Sequence, residues 1–95
     1  MQTTWKWTLE VTDRQVLSVP KGTRWLTVQT QYGDPQLWGL CDPDETEKEE
    51  RHIFIHGTGH PITQSFSIKE YIGTFQMEGG ALVFHVFEKV CLKMG

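Results

Sequence analysis

Two runs rich in β-branched and aromatic residues, Tyr71–Met77 and Ala81–Phe87, flank the turn Glu78-Gly79-Gly80. Strand-forming runs on either side of a Gly-Gly turn are the sequence signature of an antiparallel hairpin. The expectation is that residues 70–78 pair with 80–89. The second run is apolar on both faces except at His85. A strand of that kind belongs in the middle of a sheet, covered on both sides. Phe84 is read as a core residue, and its truncation to Ala is expected to cost about 3–5 kcal/mol.

Five further strand-like runs precede the hairpin. Residues 3–11 alternate, with Trp5, Trp7, Leu9 and Val11 on one face and Thr4, Lys6, Thr8 and Glu10 on the other. That is a half-buried strand. Residues 15–19 read as a second strand, ended by Pro20-Lys21-Gly22. Residues 24–32 read as a third, with Leu26, Val28 and Tyr32 on one side and Trp25, Thr27 and Gln29 on the other. A tight turn at Gly33-Asp34-Pro35 leads into a fourth, 36–42, and residues 51–56 form the fifth. Between them the acidic stretch 42–50 reads as a solvated connection with at most one helical turn near 44–50, where Asp44 can cap. About seven short strands separated by turn signals predict an all-β single domain, 1–95, built as a sandwich or a partly closed barrel.

Charge and length narrow the function classes. Ninety-five residues with a formal charge of −3 and no basic run disfavour duplex nucleic acid and anionic membrane surfaces as partners. No apolar run approaches the length of a membrane span, and Lys6, Glu10, Asp13 and Arg14 interrupt the first twenty residues, so an intracellular protein without a signal peptide is expected. Cys41 and Cys91 lack Cys-x-x-Cys spacing and read as free, half-buried thiols, with a structural disulfide the other reading.

Two constellations carry chemistry. The first is His56-Gly57-Thr58-Gly59-His60-Pro61 at the end of the fifth strand. Its glycines permit backbone angles that aim amides at an anion, and Thr58, His56 and His60 add side-chain donors. A phosphate or carboxylate would suit such a turn, with affinity rising as pH falls through about 6.5, where His takes up a proton. A purely structural turn is the competing reading. No metal is expected: His52 and His56 lie about 13 Å apart along a strand, too far to share an ion. The second constellation is aromatic and basic: Trp5, Trp7, Arg24, Trp25, Trp38 and Arg51. Bases stack on Trp and cations meet phosphate, which would suit a nucleotide. Alternatively these Trp are core or subunit interface. No nucleophile elbow and no carboxylate pair is present, so a non-enzymatic protein without cofactors is expected.

The segments Trp5-Lys6-Trp7-Thr8-Leu9-Glu10, Gly57-Thr58-Gly59-His60-Pro61, Glu70-Tyr71-Ile72-Gly73-Thr74-Phe75-Gln76 and Gly79-Gly80-Ala81-Leu82-Val83-Phe84-His85-Val86-Phe87-Glu88 resemble a family of small phage and prophage proteins known as a domain of unknown function. The resemblance covers most of the chain and is weakest in the acidic loop. It brings no catalytic residues. It implies an accessory protein made in the cytoplasm of an infected bacterial host. On that basis the expected function is sequestration of a small anionic, nucleotide-like molecule, for instance a host defence signal. The alternatives are an inhibitor that covers a host protein, and a structural or virion-associated protein. A homo-oligomer is expected, because a pocket between subunits encloses more ligand than a small domain can alone.

Overall fold

The computed structural model describes residues 1–89. Seven strands form two antiparallel sheets: β1 (Thr3–Thr8), β2 (Arg14–Pro20), β3 (Arg24–Gln31), β4 (Asp34–Cys41), β5 (Lys48–Gly57), β6 (Tyr71–Met77) and β7 (Leu82–Lys89). The first sheet has the order β1-β4-β3 and the second the order β2-β5-β7-β6. The chain is therefore all-β, a two-sheet sandwich and not a closed barrel. The predicted hairpin is present, with Tyr71 opposite Phe87 and Met77 opposite Leu82, and β7 lies between β5 and β6.

The core sits between the sheets. Leu9, just past β1, and Val28 and Leu37 from the first sheet meet Ile53, Ile55, Phe75 and Val86 from the second, and Leu17, Trp25, Ile72, Met77 and Phe84 pack against them. The outer side of β7 is covered too. Phe66, from the β5–β6 connection, stacks on Phe87 with centroids 4.6 Å apart and meets Phe54 edge-on at 5.4 Å. One run of chain thus serves as a lid over the second sheet and explains why β7 carries apolar residues on both faces.

Several strand bounds and registers differ from the sequence expectations. β1 ends at Thr8, not at residue 11: its partner β4 starts at Asp34, the Leu9 amide makes a last bond to the Pro35 carbonyl at 2.9 Å, and the chain then crosses to the other sheet. Val11 consequently lies exposed beyond the strand. In β3 a bulge between Trp25 and Thr27 resets the alternation. Trp25 pairs with Gly39 and Val28 with Leu37, so Trp25 joins the core-facing side while Leu26 turns to solvent. The β3–β4 turn is Tyr32-Gly33, one residue earlier than expected, because Pro35 falls near the start of β4, where its missing N–H is tolerated. Residues 48–50 extend β5, with Pro20 opposite Lys48 and Ser18 opposite Glu50. The acidic stretch, expected to hold at most one helical turn, holds none; the short 3-10 turns lie at Ile68–Glu70 and Glu78–Gly80.

Strand directions place the connections of residues 9–13, 32–33 and 78–81, together with the turn that follows β5, at one end of the sandwich. The Thr30 hydroxyl donates to the Gln76 carbonyl at 2.6 Å, so the tips of the β3–β4 and β6–β7 hairpins sit side by side there.

Candidate ligand-binding cleft

The His56–Pro61 segment leaves β5 through a turn whose geometry follows from its glycines. The His60 amide donates to the Gly57 carbonyl at 3.1 Å, and Gly59 has φ +84°. A 1→4 hydrogen bond with positive φ at the third position is the type II pattern, which requires Gly there. The His60 ring lies against the Gly57 backbone: a Cβ at Gly57 would stand 3.1 Å from His60 Cδ2.

Part of the anion nest that the sequence suggests is already engaged within the protein. The Thr58 amide donates to the Val83 carbonyl at 3.0 Å and the His60 amide is held by Gly57, so two of the amides are engaged within the protein. Thr58 is tied down further. Its Oγ1 lies 2.6 Å from His85 Nε2, and His85 Nδ1 lies 3.0 Å from Thr74 Oγ1, which in turn bonds the Tyr71 hydroxyl. His85, the polar exception in an apolar strand, is thereby satisfied at both ring nitrogens.

What the turn does is wall a cleft. Beside it, a concavity of about 330 Å³ is lined by Asp13, just before β2, Arg14 at the start of β2, Phe54 and His56 from β5, and His60 and Pro61 from the turn. His56 points from the outer face of the sheet. Its ring meets Phe66 and Phe87 edge-on at 5.8 and 6.2 Å, and its Nε2 is shielded from solvent with no hydrogen-bond partner among the described residues. An unpartnered buried polar atom costs on the order of 1–3 kcal/mol, and among the described residues this nitrogen is the buried side-chain atom that bears that cost. Arg14 arches over Phe54 at 5.8 Å, and its Nη2 lies 3.0 Å from His52 Nδ1. The cleft therefore presents one guanidinium and two imidazoles against a single carboxylate, Asp13. Arg14 escaped the sequence reading. The available signal was its register opposite Phe54, which becomes visible only once β2 is paired with β5.

The aromatic and basic constellation lies elsewhere and does not converge on this cleft. Trp5, Trp7 and Trp25 form an edge-to-face series with centroids 6.3 and 5.3 Å apart. It rests on Gly39, where a Cβ would meet Trp7 Cζ3 at 3.0 Å and Trp25 Cε3 at 3.1 Å. Trp38 faces the opposite side of the sheet under Lys6, and Arg24 is exposed at the start of β3. Arg51 and Trp25 are bound to each other's partner. Arg51 holds both Glu88 oxygens through Nε and Nη2, reaches the Thr23 carbonyl at 2.7 Å and Glu49 at 3.1 Å, and lies 5.2 Å from the Trp25 ring. Trp25 Nε1 donates to Glu88 at 2.8 Å. Burial opposes the charge on Arg51, but the bonds and charge of Glu88, with Glu49, outweigh it and hold the guanidinium above its ordinary value. Arg51 thus clamps the two sheets together and has little left to offer a phosphate.

Among the described residues no cluster of three metal-ligating side chains occurs, and no helix is long and apolar enough to cross a membrane. Cys41 is buried, and Cys91 lies outside the described residues. A family model described as a domain of unknown function, DUF7352, matches residues 1–93, and the chain belongs to that family. No curated protein and no solved structure matches it.

Proposed function

We propose that this family member is a non-enzymatic binding protein that takes up a small anionic, nucleotide-like molecule in the cleft between Arg14, His56 and His60. The observation that carries the reading is the concavity itself, where Arg14, His56 and His60 stand against a single acid, Asp13. A phosphate oxygen would accept from the Arg14 guanidinium and from an imidazole N–H, a small turn of the His56 ring bringing its shielded, unpartnered Nε2 to the ligand, and charge-assisted bonds of that kind are the strong ones. Phe54 and Pro61 offer apolar surface for the rest of the ligand. This places recognition on side chains and leaves the turn amides out of it.

The motif resemblance extends the reading to a phage-type accessory protein that removes a nucleotide-like defence signal in the cytoplasm of a bacterial host. A symmetric oligomer belongs to the same proposal: Trp5 on the edge strand β1 is 38% exposed, and an open cleft gains enclosure from a second subunit. Sedimentation equilibrium at tens of micromolar should give a multiple of the chain mass, and a single-chain mass would remove that part.

Calorimetric titration with nucleoside monophosphates and cyclic dinucleotides tests the central part. Wild type should bind, and Arg14→Ala and His56→Phe should each weaken binding about tenfold or more, as expected for losing a charge-assisted contact. Circular dichroism of both variants should match wild type. Equal affinities in all three proteins would take the cleft out of the function.

A further inference from the structure

The two adjacent hairpin tips break a local rule in the same way. Tyr32 and Glu78 are the non-glycine residues with positive φ among those described, at +52° and +55°. Each sits in the turn of its hairpin. Tyr32-Gly33 is a two-residue connection between Gln31 and Asp34, with both φ values positive, the type I′ pattern that strongly favours Asn or Gly at its first position. A bulky aromatic side chain there is an outlier. Nothing in the fold compensates for it: Tyr32 is 97% exposed and packs on no core residue. Strain retained without a structural return marks functional positions.

The surroundings indicate what such a tip meets. Leu82, 47% exposed, opens β7 beside the second tip. Asp34 and Glu78 are exposed and form no ion pair among the described residues. Tyr32 and Leu82 are the large exposed apolar side chains of the two tips, and Asp34 and Glu78 are their unpaired acids among the described residues. At 97% exposure Tyr32 stands clear of any wall that could enclose a small molecule with it, and the neighbouring acids disfavour nucleic acid and anionic lipid. A rigid, exposed Tyr is the kind of anchor that fills a pocket on a protein partner.

We infer that the paired β3–β4 and β6–β7 tips dock a second protein, a folded partner that offers an apolar pocket for the Tyr32 ring beside a basic group for Glu78 and Asp34. This surface is separate from the Arg14–His56 cleft and does not depend on it.

Full-length protein carrying a photo-crosslinking phenylalanine analogue at position 32, or at the exposed control position 26, is produced in its native cells and irradiated. The partner that crosslinks is then purified and titrated against wild type, Tyr32→Asn and Glu78→Gln. A specific adduct from position 32 and not from position 26 is expected. Affinity should fall about tenfold or more for Tyr32→Asn, as for a central anchor, and wild-type affinity should weaken with added salt, while Glu78→Gln flattens that salt dependence. Tyr32→Asn should also raise the thermal midpoint, since Asn accepts this backbone conformation. No adduct, the same adducts from both positions, a partner that binds Tyr32→Asn as tightly as wild type, or a lowered midpoint would each overturn the inference.

Discussion

Phe75 and Phe84 stack on one another at 5.3 Å, yet their surroundings differ. Phe75 is 3% exposed within the central cluster, whereas Phe84 only packs against that cluster and lines a second concavity beside Thr58 and Leu82. Truncating Phe75 to Ala should therefore cost about 3–5 kcal/mol, and Phe84→Ala about half as much, because part of its ring already faces open space. Chemical denaturation of the two variants checks this ranking. The sequence reading gives about 3–5 kcal/mol for Phe84 and no figure for Phe75, since periodicity finds apolar strands but cannot rank residues within them. Residue chemistry was legible where it depends on local sequence: the Gly59 turn follows directly from Gly-x-Gly spacing. It was not legible where long-range contacts decide. Arg51 looked available for phosphate until Glu88, 37 positions away, was found to hold it. Cys41 looked half-buried; it is fully buried, and that burial pushes its thiol up and keeps it protonated.

Among the elements, the hairpin of β6 and β7 and the count of strands could be read directly, because alternation and turn residues encode them. The bulge at Trp25 could not, because a bulge is set by the partner strand β4 and leaves no mark in composition. The short turn Ile68–Glu70 was missed for a related reason: its stabilising contacts are those of one carboxylate. The Ser67 amide donates to Glu70 at 2.8 Å, and Lys89 lies 3.5 Å away on β7. The Ser67 amide bond, with Lys89 adding to it, keeps the Glu70 carboxyl below the usual carboxylate range despite partial desolvation. A carboxyl depressed in the folded state contributes stability above its unfolded value and loses it as pH falls through the folded one. Glu70→Gln should accordingly lower the thermal midpoint slightly near neutral pH, with the difference from wild type shrinking as the pH is taken down through the carboxylate range. Scanning calorimetry across that range measures it, and a difference independent of pH would assign the effect to shape and not to charge.

At the scale of the whole molecule, two sheets share a core of about a dozen side chains and are joined at one flank by Arg51, Glu88 and Trp25. Both charged side chains retain little exposure, 19% for Arg51 and 12% for Glu88. Removing one partner leaves the other charge poorly solvated, so Arg51→Ala should cost about 3 kcal/mol, the low end for a broken buried pair. Denaturant titration tests that, and an unchanged midpoint would mean the clamp is not what joins the sheets. The same division of labour separates stability from recognition. The clamp lies between the sheets, the cleft lies outside β5, and its unpaired imidazole is the feature that a ligand would complete. The most direct measurement is nuclear magnetic resonance of the imidazole nitrogens during titration with a nucleoside monophosphate. The account predicts that the His56 ring nitrogens shift progressively, while those of His85, already bonded at both nitrogens, stay in place. A His56 resonance unmoved at millimolar nucleotide, or one that moves no more than His85, would contradict it.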